Sequence, residues 1–163
     1  MIRQYGALSY DVPADGEPRF LLITSRTSRR WIIPRGNPIR KLSPAQSAAQ
    51  EAYEEAGITG LISPAEIGSY RYIKRRPNGT QVLANVHVFA MLTTKQSAHW
   101  PERDQRDWKW FSRLEAVEAV DEPELKQLIG SFTPPPTETL IPVAKLPAQR
   151  SALRSLFSKM TGR

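Results

Sequence analysis

Apolar residues gather in short runs separated by turn-forming residues, and the runs predict strands over most of the chain. Tyr5–Val12 and Arg19–Arg26 are two such runs, joined by Pro13-Ala14-Asp15-Gly16-Glu17, which has the composition of a hairpin loop. Trp31-Ile32-Ile33 is a third, stopped by Pro34 and followed by a loop with Gly36, Asn37 and Pro38. Ile67–Arg76 and Thr80–Leu92 flank Pro77-Asn78-Gly79, and Asn-Gly between two such runs is a strong hairpin signal. Trp108–Phe111 adds a last short strand, before helical patterns at Arg113–Val120 and Pro123–Phe132.

One helix is marked more clearly than any other element. Ser43-Pro44-Ala45-Gln46 supplies an N-cap serine, a proline in the first turn and a glutamine three residues after the cap, and Gly57 supplies a left-handed stop. Strands, this helix, more strands and two helices together predict an α/β fold, a mixed central sheet covered by helices. No internal repeat is present.

After the second helical pattern the composition changes. Residues 133–147 contain Pro134, Pro135, Pro136, Pro142 and Pro147, which predicts an extended linker. In residues 148–163, Leu153, Leu156, Phe157 and Met160 recur at helical spacing among basic residues. That is a basic amphipathic tail, suited to its own domain, a second copy of the chain in a homodimer, or a membrane surface. The organisation expected is a domain over 1–132, a linker over 133–147 and a tail over 148–163.

Composition narrows the chemistry. The 163 residues contain no cysteine, which excludes disulfides, zinc–thiolate sites and cysteine nucleophiles. No apolar run approaches the roughly 18 residues of a membrane span, and the start has no signal-like core; the expectation is a cytoplasmic protein. The net charge is +7, and residues 134–163 set five basic side chains against Glu138. Such a balance favours anionic partners.

The helix of residues 43–57 breaks a stability rule. Ala45, Ala48, Ala49, Ala52 and Ala56 form one small-residue face, suited to lying close against a sheet. Glu51, Glu54 and Glu55 project together from the other, related as i, i+3 and i+4. Like charges at these spacings disfavour a helix by about 0.2–0.5 kcal/mol per pair. They also sit at the negative end of the helix dipole, a further cost of about 0.3–1 kcal/mol. A hard divalent cation such as Mg²⁺ or Mn²⁺ would offset both; a solvated acidic face or pairing with arginines are the bland alternatives. Before the helix stand Arg26, Arg30, Arg35, Arg40 and Lys41, cations that suit the phosphates of a metal-bound polyphosphate. His87, mid-strand among apolar neighbours, reads as structural.

The run from Gly36 to Ile58 resembles the Nudix box, G-x5-E-x7-R-E-U-x-E-E-x-G-U with U a bulky aliphatic. Gly36, Glu51, Glu54, Glu55, Gly57 and Ile58 match without a gap, and Ala52 is a small substitute. The resemblance implies an α/β/α sandwich and a divalent cation, usually Mg²⁺, on Glu51, Glu54 and Glu55 with Gly36. It further implies hydrolysis of a diphosphate linkage, and an extra acid from outside the box, for which Glu102 is the candidate. Two positions depart: Leu42 replaces the first glutamate and Gln50 the arginine that orients the carboxylates. Ser25-Arg26, the run Arg30-Trp31-Ile32-Ile33-Pro34-Arg35-Gly36, and Trp108-Lys109-Trp110-Phe111 with its following helix resemble the diphosphoinositol polyphosphate and diadenosine polyphosphate phosphohydrolases. In that branch further glycines commonly follow the first, where this chain has Asn37 and Pro38. The expected substrate is therefore a small polyphosphate rather than nucleic acid. Two alternatives stand beside it: a polyphosphate sensor disabled by Leu42 and Gln50, and an RNA 5′-end pyrophosphohydrolase suggested by the basic tail.

Overall fold

The computed structural model describes residues 1–143. Nine strands form one mixed sheet in the order β3-β2-β1-β7-β5-β9: Trp31–Ile32, Arg19–Thr24, Ile2–Asp11, Gln81–Gln96, Ile58–Ile62 and Ile141–Pro142. Arg35–Gly36 (β4) pairs with β1, Gly68–Arg75 (β6) with β7, and Trp108–Ser112 (β8) with β2. The long central pair, β1 and β7, runs parallel from Ile2 beside Ala84 to Tyr10 beside Leu92, and the other pairings are antiparallel.

Alternation along the central strands divides the core into two layers. Leu8 and Tyr10 of β1, with Val86, Val88 and Ala90 of β7, face one way and pack with Ala116, Leu125 and Ile129 of helices α2 (Arg113–Ala119) and α3 (Pro123–Gly130). Ala7, Phe89 and Met91 face the other way and meet α1 (Pro44–Ala56). The result is an α/β/α sandwich with a mixed sheet.

The alanines at 45, 48, 49, 52 and 56 are all buried against the sheet, so the small-residue face does what its composition predicted. Ser43 caps α1, its Oγ accepting from Gln46 N at 3.2 Å while Gln46 Oε1 accepts from Ser43 N at 2.9 Å. At the other end Gly57 takes φ +72°, and a Cβ there would lie 2.2 Å from the Trp100 ring. Glycine is required twice over, by backbone conformation and by the indole against it.

Three short elements escaped the strand patterns. β5 directly follows the helix stop and bulges at Thr59/Gly60; β4 is only two residues long. β9 corrects the linker reading. Residues 133–143 are not simply extended: Leu140 is buried, and Ile141–Pro142 pairs with β5 after a 3-10 turn at Thr137–Thr139. The folded unit therefore runs past residue 132. The tail expected over 148–163 lies outside the described residues.

Candidate active site

The acidic face of α1 is not solvated. Glu51 is 0% exposed, Glu54 2% and Glu55 2%. Burying a carboxylate carries a penalty of several kcal/mol unless charge and hydrogen bonds compensate. Part of that compensation lies on Glu55. Its Oε2 accepts from the backbone N–H of Arg35 at 3.3 Å, and its Oε1 lies 3.6 Å from Arg106 Nη2.

Arg106 arrives from the segment between β7 and β8, which is fastened to the helix end. Ser97 N donates to the Gly57 carbonyl at 2.8 Å, and Glu102 N to the Glu54 carbonyl at 3.0 Å. These bonds use carbonyls that a helix C-terminus would otherwise leave without partners. They also bring Glu102, 5% exposed, to the acidic face. Arg106 donates to Glu102 Oε1 through Nε at 3.2 Å and Nη2 at 3.0 Å, and to the Thr24 carbonyl through Nη1 at 3.0 Å. Arg26 approaches the same oxygen, Nε 3.9 Å from Glu102 Oε1, and donates through Nη1 to Gln105 Oε1 at 3.0 Å.

Glu55 and Arg106 form part of the wall of a cleft of about 1360 Å³. Nine basic side chains line it against three acidic ones. The lining includes Arg26, Arg30 and Arg35 together with Arg71, Lys74, Arg75 and Arg76 of the β6–β7 hairpin. The hairpin cations thus line the same cleft as Glu55.

Arg35 is held deep in the cleft. Its Nη1 donates to the Tyr70 hydroxyl at 2.9 Å and lies 3.7 Å from Glu122, and its guanidinium sits 3.6 Å from the Tyr72 ring centroid. Burial works against its charge, but Tyr70, Tyr72 and Glu122 more than offset that, so its pKa rises above the ordinary arginine value. Burial likewise raises the Tyr70 hydroxyl well above the usual phenol range, despite Arg35. Tyr72 in turn donates to Gln4 Oε1 at 2.7 Å, and Gln4 to Asn37 Oδ1 at 3.1 Å. Arg35 is thus a fixed positive group in the cleft wall.

The remaining sequence candidates divide. Arg26 and Arg30 line the cleft, Arg30 with Nη1 3.5 Å from Asp121. Gly36 of β4 is buried and pairs with Tyr5 of β1, one residue after the Arg35 amide that meets Glu55. Arg40 and Lys41 are exposed and do not line the cleft. The reason is local: Ile39 turns into the core, its N–H bonds Ser47 Oγ, and Leu42 N closes a turn on the Ile39 carbonyl. The two cations between are carried outward. His87 pairs with Glu66 at 2.7 Å and is no part of the lining. Sequence reasoning missed Arg106, Tyr70, Tyr72 and Glu122. The Glu102–Arg106 spacing of i, i+4 was the signal available for Arg106.

Do these residues suit a divalent cation? Among the described residues no three acidic or imidazole side chains are gathered tightly enough, as they stand, to enclose an ion. The donor chemistry does fit: Glu51, Glu54, Glu55 and Glu102 are buried, oxygen-only and negatively charged, the set that Mg²⁺ and Mn²⁺ accept. Of the four, Glu55 lines the cleft, where basic side chains outnumber acidic ones.

The family model of the NUDIX domain matches residues 6–132. The chain belongs to the NUDIX family. Among curated relatives of this NUDIX domain, Nudix hydrolase 21, chloroplastic, from Arabidopsis thaliana is 28% identical over 124 residues, covering 76% of this chain and 61% of that protein. Diphosphoinositol polyphosphate phosphohydrolase 3-alpha from Mus musculus is 27% identical over 110 residues, covering 66% and 63%. The chain thus spans less than two thirds of these relatives' own length. Among solved structures, a C. elegans Ap4A hydrolase binary complex superposes with a TM-score of 0.59 at 22% identity, covering 79% of this chain and 93% of that one. At that identity the likeness speaks for the fold, and the NUDIX sandwich expected from the box is the one observed. No helix of the described residues is long and apolar enough to cross a membrane.

Proposed function

We infer that this NUDIX domain is a divalent-metal-dependent pyrophosphohydrolase acting on a small molecule crowded with phosphates, of the diadenosine polyphosphate or diphosphoinositol polyphosphate type. The observation that carries the reading is the cleft: nine basic side chains line it together with Glu55. A cleft with that excess of positive charge suits a multiply charged anion better than a neutral substrate.

Glu51, Glu54 and Glu55, with Gly36 beside them, would hold Mg²⁺ or Mn²⁺. Such an ion polarises a phosphoryl oxygen and lowers the pKa of water at neutral pH. The chain's own groups do the rest. Arg35, Arg26 and Arg30 neutralise phosphate oxygens, and Lys74, Arg75 and Arg76 hold outlying phosphates. Glu102, buried beside Arg26 and Arg106, would serve as the base that takes a proton from water. Burial of the acids excludes bulk solvent and strengthens each of these interactions.

The test is phosphate release from diadenosine polyphosphates and diphosphoinositol polyphosphates, with and without Mg²⁺. Wild type should turn over at least one of them only with metal, and Glu54→Gln and Glu55→Gln should each cut the rate by about 100-fold or more. Unchanged turnover in both variants refutes the reading. One observation favours a second reading, a domain that binds polyphosphate without hydrolysing it: Arg106 sits 3.6 Å from Glu55 while Gln50 supplies no charge to the helix. Calorimetric binding of a polyphosphate with no turnover in either Mg²⁺ or Mn²⁺ would select it.

A further inference from the structure

The last turn of α1 carries no lysine or arginine, although three buried carboxylates lie in its second half. A glutamine occupies position 50, one turn before Glu54, so the helix itself brings no cation there. Yet a cation does reach the acids, from a distant part of the chain. The Arg106 side chain is 7% exposed. Two of its nitrogens bond Glu102, a third bonds the Thr24 carbonyl in β2, and Nη2 also faces Glu55 at 3.6 Å. A planar guanidinium can span three such partners at once; a lysine ammonium, a single point charge, cannot hold the same fork.

We propose that Arg106 is a positioning residue that holds Glu55 and Glu102 together as one acidic pair, replacing from outside the helix the cation missing at Gln50. This rests on the metal-site reading above. In charge terms Arg106 contributes one positive unit where a divalent ion would contribute two. Without either, Glu55 and Glu102 would repel in a poorly solvated space, with Arg26, 3.9 Å from Glu102 Oε1, offsetting part of that repulsion. Two consequences separate this role from ordinary packing. Removing Arg106 should destabilise the metal-free protein, and the same change should make the acids bind a divalent ion more tightly, because the ion no longer shares Glu55 with a resident cation.

The experiment measures thermal unfolding in EDTA and in saturating Mn²⁺, together with Mn²⁺ binding followed by the electron-spin resonance of the free ion. Arg106→Gln should lower Tm in EDTA by about 5–15 °C, on the scale of an opened buried ion pair. Mn²⁺ should restore at least half of that loss and bind about 10-fold more tightly than to wild type. Adding Gln50→Arg to the variant should recover Tm in EDTA and return Mn²⁺ affinity toward wild type, an outcome that lost packing would not give. Equal losses with and without Mn²⁺, or Mn²⁺ binding no tighter than wild type, overturn the proposal. If Arg106→Gln does not fold, Arg106→Lys keeps one charge without the fork. It should show a smaller loss and an intermediate metal response; behaviour identical to wild type overturns the proposal. Wild type that binds no Mn²⁺ would show, before any variant is made, that the metal reading itself fails and this inference with it.

Discussion

Replacing Gly57 by alanine tests how firmly the end of the acidic helix is tied to the segment carrying Glu102 and Arg106. Two separable costs follow from the geometry. Gly57 has φ +72°, where a Cβ costs about 1–2 kcal/mol. The added carbon would also lie 2.2 Å from Trp100 Cε3 and 2.4 Å from Cδ2, so the indole must move. Trp100 is only 9% exposed and stacks edge-on with Trp108 at 5.9 Å, which leaves little room for retreat. Overpacking of this kind costs about 1–3 kcal/mol. Gly57→Ala should therefore lose about 2–5 kcal/mol in urea unfolding, read by tryptophan fluorescence, and lose hydrolysis too as Glu102 is carried away with the segment. The decisive comparison is made in a Trp100→Ala background. There the steric part vanishes and Gly57→Ala should cost only about 1–2 kcal/mol, the backbone share. An undiminished cost in that background would refute the assignment to Trp100. A cost below about 0.5 kcal/mol in wild type would refute the whole account.

Two further outcomes follow. Lys74→Gln, Arg75→Gln and Arg76→Gln combined should raise KM about 10-fold for a phosphate-crowded substrate with kcat nearly unchanged, because holding outlying phosphates is uniform binding; a collapse in kcat with unchanged KM contradicts that role. Hydrogen bonds from the Ser112 backbone and side chain hold Glu115 below the usual glutamate range. Its contribution to stability should be present above that range and fade as pH falls through the lowered value. Thermal melts across an acid series should show this for wild type and a shallower slope for Glu115→Gln; identical slopes would count against the cap.

What could be read from the sequence was local. The bounds of α1 were legible because Ser43, Pro44, Gln46 and Gly57 each satisfy or end the backbone ladder within a few residues. The three glutamates were legible because helical spacing fixes their common face. Their burial was not, since it depends on the sheet below and on a segment roughly fifty residues further along. Arg106 was hidden for the same reason: nothing near it in the chain shows that Glu55 lies opposite. Arg40 and Lys41 misled because proximity in sequence stood in for proximity in space, and Ile39 decides otherwise by turning inward. The hairpin at Asn78-Gly79 was plain, but that its cations share a cleft with Glu55 depends on how the whole sheet packs. β5 and β9 escaped because each is short and interrupted, one by Gly60 and the other by Pro142.

The return of residues 137–143 has a practical bearing on anyone trimming the chain. β9 closes one border of the sheet among the described residues, laying Pro142 beside Leu61 and Ile141 beside Ile62. Cutting at the end of the family match would strip that border and leave β5 as a naked template for strand addition by neighbouring molecules. Proline has no N–H to offer a newcomer, so the intact border ends in a residue that discourages growth of the sheet. A shortened version ending at 132 should therefore precipitate where one ending at 143 stays dispersed.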